Sequence, residues 1–166
     1  MTPKTFPVDD IAPTVIRLAG RTPDDPELRT FLSAIGSWPL APFPADEFDV
    51  YFEDKVRGFS LSFQDAATLK HPAAAGKPSR TPIFVGGFFY SQGKDGYQQF
   101  KGALPHGIAW AESPDSLAAK LGAPKFNITN KKTGNLQAYR WEIDGQMLSA
   151  NFKNDGSIGH VYVGIR

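Results

Sequence analysis

Two stretches of this chain repeat the same order of features, about 86 to 89 residues apart. Each stretch begins with a capped helical segment that ends at a glycine, and each continues with three strand-like runs. The two glycines that end the helical segments, Gly36 and Gly122, lie 86 positions apart. This shared register predicts a duplicated αβββ unit, with pseudo-repeats at about 22–90 and 113–166.

Both helices carry start and stop signals. In the first unit, Thr22 or Asp25 can accept hydrogen bonds from free backbone amides, and a proline suits the first helical position. In the second unit, Ser113 is the expected cap and a proline again follows it. Leu117 and Leu121 share one face of that helix, so we expect both to lie in the core.

Period-two alternation predicts the strands. In the run 48–54 we expect Phe48, Val50 and Phe52 to face the core, leaving Asp49, Tyr51 and Glu53 on the other face. Further strands are predicted at 59–63, 83–90, 136–143, 147–152 and 161–165, with a bulge or close-packing point at 86–87. The remaining assignments are a short strand at 14–18, a proline-broken link at 37–44, and exposed loops at 65–82 and 127–135.

These elements predict an α+β fold, an antiparallel sheet with packed helices. The chain has 166 residues and a mass of 18.1 kDa, which suits a single domain with one core. Its net charge of +1 is unevenly distributed, because residues 1–66 hold 11 acidic and 6 basic side chains whereas residues 67–166 hold 6 and 12. A patchy surface of this kind steers charged partners.

The sequence contains no recognisable catalytic or cofactor motif. It has no cysteine, and its three histidines do not form a metal-ligand spacing. Phosphate-loop, dinucleotide and nucleophile-elbow patterns do not occur in the sequence. We therefore expect a non-enzymatic protein with no cofactor and no metal. The first residues contain no apolar stretch of signal-peptide length, so a cytoplasmic location without membrane contact is expected.

The densest cluster of charge is acidic and surrounds the first predicted strand. It comprises Asp46, Glu47, Asp49, Glu53 and Asp54, with Tyr51 among them. A solvated surface, a partner-binding patch and a two-carboxylate hydrolytic site all remain open for this cluster, although the outer face of a strand does not suit a water-excluding cleft. An aromatic ring among carboxylates suits an interface with a basic partner.

Two other surfaces are candidates. The turn at 94–97 would expose Asp95 with Tyr97 as an aromatic tip, which makes it the second choice for a partner-binding site. Basic residues around the second unit, Lys125, Lys131, Lys132 and Arg140, could contact phosphate, but no nucleic-acid-binding module surrounds them, so nucleic acid is not expected as a partner.

The second half of the chain carries a family resemblance. The runs from Gly93 to Trp110 and from Ser113 to Pro124 contain turn and core positions in a characteristic order, and the chain then continues with Trp141, Phe152, Asp155-Gly156-Ser157-Ile158 and Val161-Tyr162-Val163. This pattern resembles small bacterial immunity proteins associated with polymorphic and type VI secretion toxins. The resemblance covers about residues 90–166, with a looser echo at 22–63. The helix and meander are also similar in fold to SmpA-type outer-membrane lipoproteins, although the lipidated cysteine is missing.

The resemblance implies a cytoplasmic immunity protein that binds and neutralises a cognate toxin or effector without catalysis. The alternative is a small-ligand or regulatory binding domain with an aromatic pocket between helices and sheet. A hydrolase that uses the acidic cluster is a third class. The position of the gene discriminates between them, because a toxin-like reading frame beside it favours the first.

Overall fold

The structure is a computed structural model that describes residues 6–36 and 46–166. The predicted link at 37–44 lies outside the described residues. The helices are α1 (Ile11–Leu18), α2 (Pro26–Ala34) and α3 (Pro114–Leu121). The strands are β1 (Asp49–Asp54), β2 (Phe59–Asp65), β3 (Pro82–Tyr90), β4 (Phe126–Thr129), β5 (Leu136–Ile143), β6 (Gln146–Phe152) and β7 (Ile158–Gly164).

All seven strands form one antiparallel sheet in the order β1-β2-β3-β7-β6-β5-β4. Two meanders, β1-β2-β3 and β5-β6-β7, meet where β3 pairs with β7, and β4 extends the second meander by one strand. The predicted α+β class with an antiparallel sheet is confirmed. The division into two pseudo-repeats stays a prediction.

Side-chain caps fix the starts of two helices as the sequence predicts. Asp25, not Thr22, caps α2, because its Oδ1 accepts hydrogen bonds from the amides of Glu27 and Leu28 at 2.9 and 3.1 Å. Ser113 caps α3 through a reciprocal pair of hydrogen bonds with Ser116. The predicted start of α3 is therefore confirmed.

The prediction of a short strand at 14–18 is wrong, because these residues belong to helix α1. Ile11, Val15 and Leu18 are fully buried at helical spacing, and α1 packs against β3 and β7. The β-branched residues in this segment favour a strand locally. Burial of one helical face against the sheet overrides that preference.

The main core lies between the three helices and one face of the sheet. It contains fully buried aromatic residues from three parts of the chain, namely Phe59, Phe63, Phe84, Phe89 and Phe100. Leu117 of α3 is fully buried as predicted, whereas Leu121 is only half-buried at the edge of the core. A smaller cluster lies apart from the main core, in which Ala66 and Leu69 pack with Ile83 and Val85, so the loop predicted at 65–82 is not exposed throughout.

Two edge strands differ from the sequence prediction. Strand β1 begins at Asp49, so Phe48 lies outside it and is 53% exposed instead of facing the core, with the Arg80 guanidinium 5.5 Å from its ring centroid. Val50 and Phe52 are half-buried and pack against the core. The predicted loop at 127–135 contains most of β4, an exposed edge strand whose side chains show no buried face.

Candidate functional site

The face of the sheet opposite the helices carries the candidate site, and we call it the open face. One row of paired residues crosses it from edge to edge: Glu53, Ser60, Phe88, Tyr162, Ser149, Arg140 and Phe126. Adjacent strands of a sheet generally lie about 4.7–4.9 Å apart, so the five spacings from Glu53 to Arg140 span about 24 Å. The row has a carboxylate near one end, a guanidinium near the other and aromatic side chains between them.

The middle of the open face is an aromatic surface of contacting rings, in which Tyr97 and Tyr162 are buried and the other rings are half-buried or exposed. The rings of Tyr90 and Tyr97 stack with centroids 3.7 Å apart, and the ring of Phe88 lies 4.7 Å from that of Tyr162. The rings of His160 and Tyr51 lie 5.7 and 6.4 Å from Phe88 on either side. Aromatic contact area of this kind is typical of the centre of a binding surface.

Two glycines make room for Tyr162 on this surface. A Cβ atom at Gly86 would lie 2.9 Å from the Tyr162 hydroxyl oxygen, and one at Gly164 would lie closer still. The bulge lies one residue before the predicted position 86–87, because Ser62 pairs with Gly86 while Phe63 pairs with Phe84, which leaves Val85 unpaired with β2. Gly86 is instead a close-packing point, since a Cβ atom there would clash with the Val163 carbonyl oxygen. Tyr162 can therefore lie across the sheet and donate a hydrogen bond to the Val85 carbonyl at 3.4 Å.

Strand β1 brings together part of the predicted acidic site. Asp49, Tyr51 and Glu53 are exposed on the open face, as their alternation predicts, and the Ala-rich loop does not cover them. Asp49 is paired with Arg166 at 2.9 Å, whereas Glu53 makes no ion pair with any described residue.

The other predicted acidic residues lie around this strand. Asp46 and Glu47 are exposed immediately before β1. Asp54 turns away from the open face and forms an ion pair with Arg57. Its carboxylate also accepts a hydrogen bond from the Arg57 backbone amide at 2.8 Å. Asp54 therefore stabilises the β1–β2 turn.

The prediction of an exposed aromatic tip at 94–97 is wrong. Tyr97 is only 3% exposed, because its ring lies against Tyr90 with the Lys55 ammonium 5.7 Å from its centroid. Asp95 is exposed as predicted, with its neighbour Lys94 at 3.7 Å. The turn is therefore a charged loop, and the buried Tyr97 ring supports the aromatic surface by stacking against Tyr90.

The opposite end of the open face is basic, and the sequence reasoning missed most of it. Two adjoining pockets of about 280 and 310 Å³ share Arg140, Asn151 and His160, and we call them together the basic groove. The larger is lined also by Lys94, Lys153, Gln137, Ile128, Ala138, Phe152 and Gly159, and the smaller by Arg166, Phe88, Met147, Ser149 and Tyr162. The alternation along β5 could have placed Arg140 on the face that does not carry the buried Trp141. Only the pairing of the strands brings the other groove residues close to Arg140.

The central groups of the open face are uncharged at neutral pH. Burial, with a smaller effect of Lys94, lowers the pKa of His160 to about 4, and its Nδ1 atom is buried without a hydrogen-bond partner. Burial raises the pKa of Tyr162 to about 12 and also raises the pKa of Tyr90 and of Tyr97. The arrangement therefore presents neutral aromatic groups between two charged ends, which suits recognition.

No protein-family model matches the chain, and no curated protein matches it. Among solved structures, it is similar to a DUF4309 family protein (YjgB) from Bacillus subtilis subsp. subtilis str. 168, with 13% sequence identity and a TM-score of 0.47 over 96% of this chain and 95% of that one. No function follows from a likeness at this level. Within residues 6–36 and 46–166, no helix is long and apolar enough to cross a membrane.

Proposed function

We propose that this chain is a non-catalytic cytoplasmic immunity protein that binds and neutralises a cognate secreted toxin through the open face of its sheet. The observation that carries the proposal is a seven-stranded sheet with helices packed on one face and an aromatic surface, flanked by opposite charges, on the other. The resemblance of residues 90–166 to toxin-associated immunity proteins supports it.

The aromatic part of the open face supplies contact area. Tyr51 is 43% exposed at its edge, and Phe88 and Tyr90 are half-buried towards its middle. Their rings are held in place by neighbouring rings and by the hydrogen bond that Tyr90 shares with Ser60 at 3.1 Å. A partner that covers them therefore removes apolar surface from water with little loss of side-chain entropy.

The charged ends of the open face supply orientation. Glu53 and its acidic neighbours Asp46, Glu47 and Asp49 lie at the β1 edge, and Arg140 lies about 24 Å away along the same row. Charges at opposite ends favour one orientation of a partner and raise its association rate. A toxin with a basic cleft for nucleic acid or nucleotides would bind at the acidic end, which agrees with the basic partner that the sequence predicts for this cluster.

A second candidate is a small-ligand or regulatory binding domain. The pockets of the basic groove favour it, since their volumes are about 280 and 310 Å³. Phe88 and Tyr162 border the smaller pocket. These pockets lie on the open face and not between helices and sheet, where the sequence analysis expected an aromatic pocket. The two functions differ in their partner, which is a toxin protein in the first and a small molecule in the second.

Co-expression with the protein encoded by the neighbouring reading frame tests the proposal. We expect the chain to restore growth of cells that produce that protein and to co-purify with it as a stable complex. Failure of both rescue and co-purification would remove the immunity function and leave the small-ligand domain as the better account.

A further inference from the structure

We infer that the basic groove binds the carboxylate side chains of an acidic segment on the protein partner. The inference rests on the proposed function in taking a protein as the occupant. It adds a second contact site, with chemistry opposite to that of the acidic β1 edge.

Cations and neutral donors converge on the larger pocket of the groove. Lys94, Arg140 and Lys153 line it, together with the side-chain amides of Gln137 and Asn151. No carboxylate lines either pocket of the groove. Lys94 is paired with Asp95 at 3.7 Å, so Arg140 and Lys153, with the two amides beside them, are the groups of this pocket best suited to bind anionic oxygen atoms.

Two of the four cations that line the groove are not neutralised within the described part of the chain, whereas Lys94 and Arg166 each pair with an aspartate. Arg140 and Lys153 form none of the ion pairs between described residues. The acidic residue next along β5 on the same face, Glu142, is itself paired with Lys125 at 2.7 Å. Arg140 therefore keeps its guanidinium for an external carboxylate, which it can bind through two parallel hydrogen bonds.

The smaller pocket adds an apolar floor to the groove. Phe88, Met147 and Tyr162 line it beside Arg140, and His160 lies between the two pockets with its Nδ1 atom unpaired. A segment that carries glutamate or aspartate residues beside apolar ones would place its carboxylates on the cations and its apolar side chains on this floor. The groove thus fits an amphipathic acidic segment.

The charge of the whole open face favours a protein segment over a nucleic acid. A phosphate backbone that follows the sheet beyond the groove would approach Asp49, Glu53 and the other carboxylates of the β1 edge. A nucleic acid carries negative charge along its entire length, so this approach is repulsive. A folded protein can present acidic groups to the groove and basic groups to the β1 edge at the same time.

Binding of a labelled peptide tests the inference without the cognate partner. The probe is a fluorescein-labelled peptide of alternating glutamate and leucine residues, with a lysine–leucine peptide of the same length as control, measured by fluorescence polarisation at low salt. The groove variant carries Arg140→Gln and Lys153→Gln. The matched control variant carries Lys131→Gln and Lys132→Gln, which remove the same charge from an exposed turn outside the groove.

We expect the wild-type protein to prefer the glutamate–leucine peptide, the groove variant to bind it about fivefold more weakly, and the control variant to bind it like the wild type. The imidazole signals of His160 should shift on peptide binding, since His160 borders both pockets. An equal loss of affinity for the glutamate–leucine peptide in the groove variant and in the control variant would overturn the inference. So would saturable binding of inorganic phosphate or of a single-stranded oligonucleotide without binding of the peptide. Because no toxin is present, these outcomes are independent of the rescue experiment.

Discussion

Arg166 Nη1 lies 2.9 Å from Asp49 Oδ1 and 2.7 Å from Gln64 Oε1. This contact joins the residue two positions beyond β7 to the first residue of β1, across the intervening strands β2 and β3. It leaves Asp49 partly neutralised before any partner arrives. Of the predicted acidic residues within β1 that point to the open face, Glu53 therefore keeps its full charge.

A double-mutant cycle on Asp49→Asn and Arg166→Gln measures this pair. Both side chains are about two-fifths exposed, so we expect a coupling free energy of only about 0.2–1 kcal/mol in urea denaturation. The coupling should decrease in high salt because solvent ions screen exposed charges. Zero coupling at low salt would show that Arg166 does not hold Asp49 in solution.

Reversal of charge at Glu53 tests the acidic end of the open face. Glu53→Lys should weaken binding of the cognate toxin about fivefold at low salt and less at high salt. Its free energy of unfolding should change by less than about 0.5 kcal/mol, because the side chain is exposed. Asp24→Lys, an exposed change just before α2, is the control and should leave affinity unchanged. Unaltered affinity of the Glu53→Lys variant at low salt would place the interface elsewhere.

Truncation of the two leucines of α3 tests the depth of the helix in the core. Leu117→Ala should lower the free energy of unfolding by about 2–5 kcal/mol, since its side chain is fully buried. Leu121→Ala should cost only about 1 kcal/mol, because that side chain is half-buried. Equilibrium denaturation of both variants gives the comparison. A loss below about 1 kcal/mol for Leu117→Ala would contradict the buried face of α3.

The three helices differ in how far the sequence could predict them. Capping residues, a following proline and apolar residues at helical spacing act locally, so the starts of α2 and α3 could be predicted from them. Helix α1 could not be recognised from propensity, because its β-branched residues favour strands and only packing against β3 and β7 makes it helical.

The candidate site was predicted at one end only. The β1 edge comes from one run of alternating residues, so its exposed side chains could be read from local sequence. The basic groove joins Lys94, Arg140, Lys153 and His160, which are far apart in the chain and meet through the pairing of β5, β6 and β7. Tyr97 was misplaced because its burial depends on stacking with Tyr90.

The buried imidazole of His160 predicts a pH dependence of stability. Its pKa is about 4 in the folded protein, below the ordinary value of 6.5 that the unfolded chain should have. The unfolded state therefore binds this proton first, and the contribution of His160 to stability is complete above pH 6.5 and is lost as the pH falls towards 4. We expect the free energy of unfolding to fall more over this range in the wild type than in a His160→Gln variant. An NMR titration that gives His160 a pKa near 6.5 would contradict its burial.

Hydroxyl-radical footprinting of the complex with the neighbouring-frame toxin measures which surface the partner covers. Tyr51 and Met147 lie on the open face, whereas Trp110 and Leu121 border the core on the helical side. If the open face binds the toxin, oxidation of Tyr51 and Met147 should fall strongly in the complex, while oxidation of Trp110 and Leu121 should stay at the level of the free protein. A complex in which Trp110 and Leu121 are protected and Tyr51 and Met147 are not would contradict the binding role of the open face.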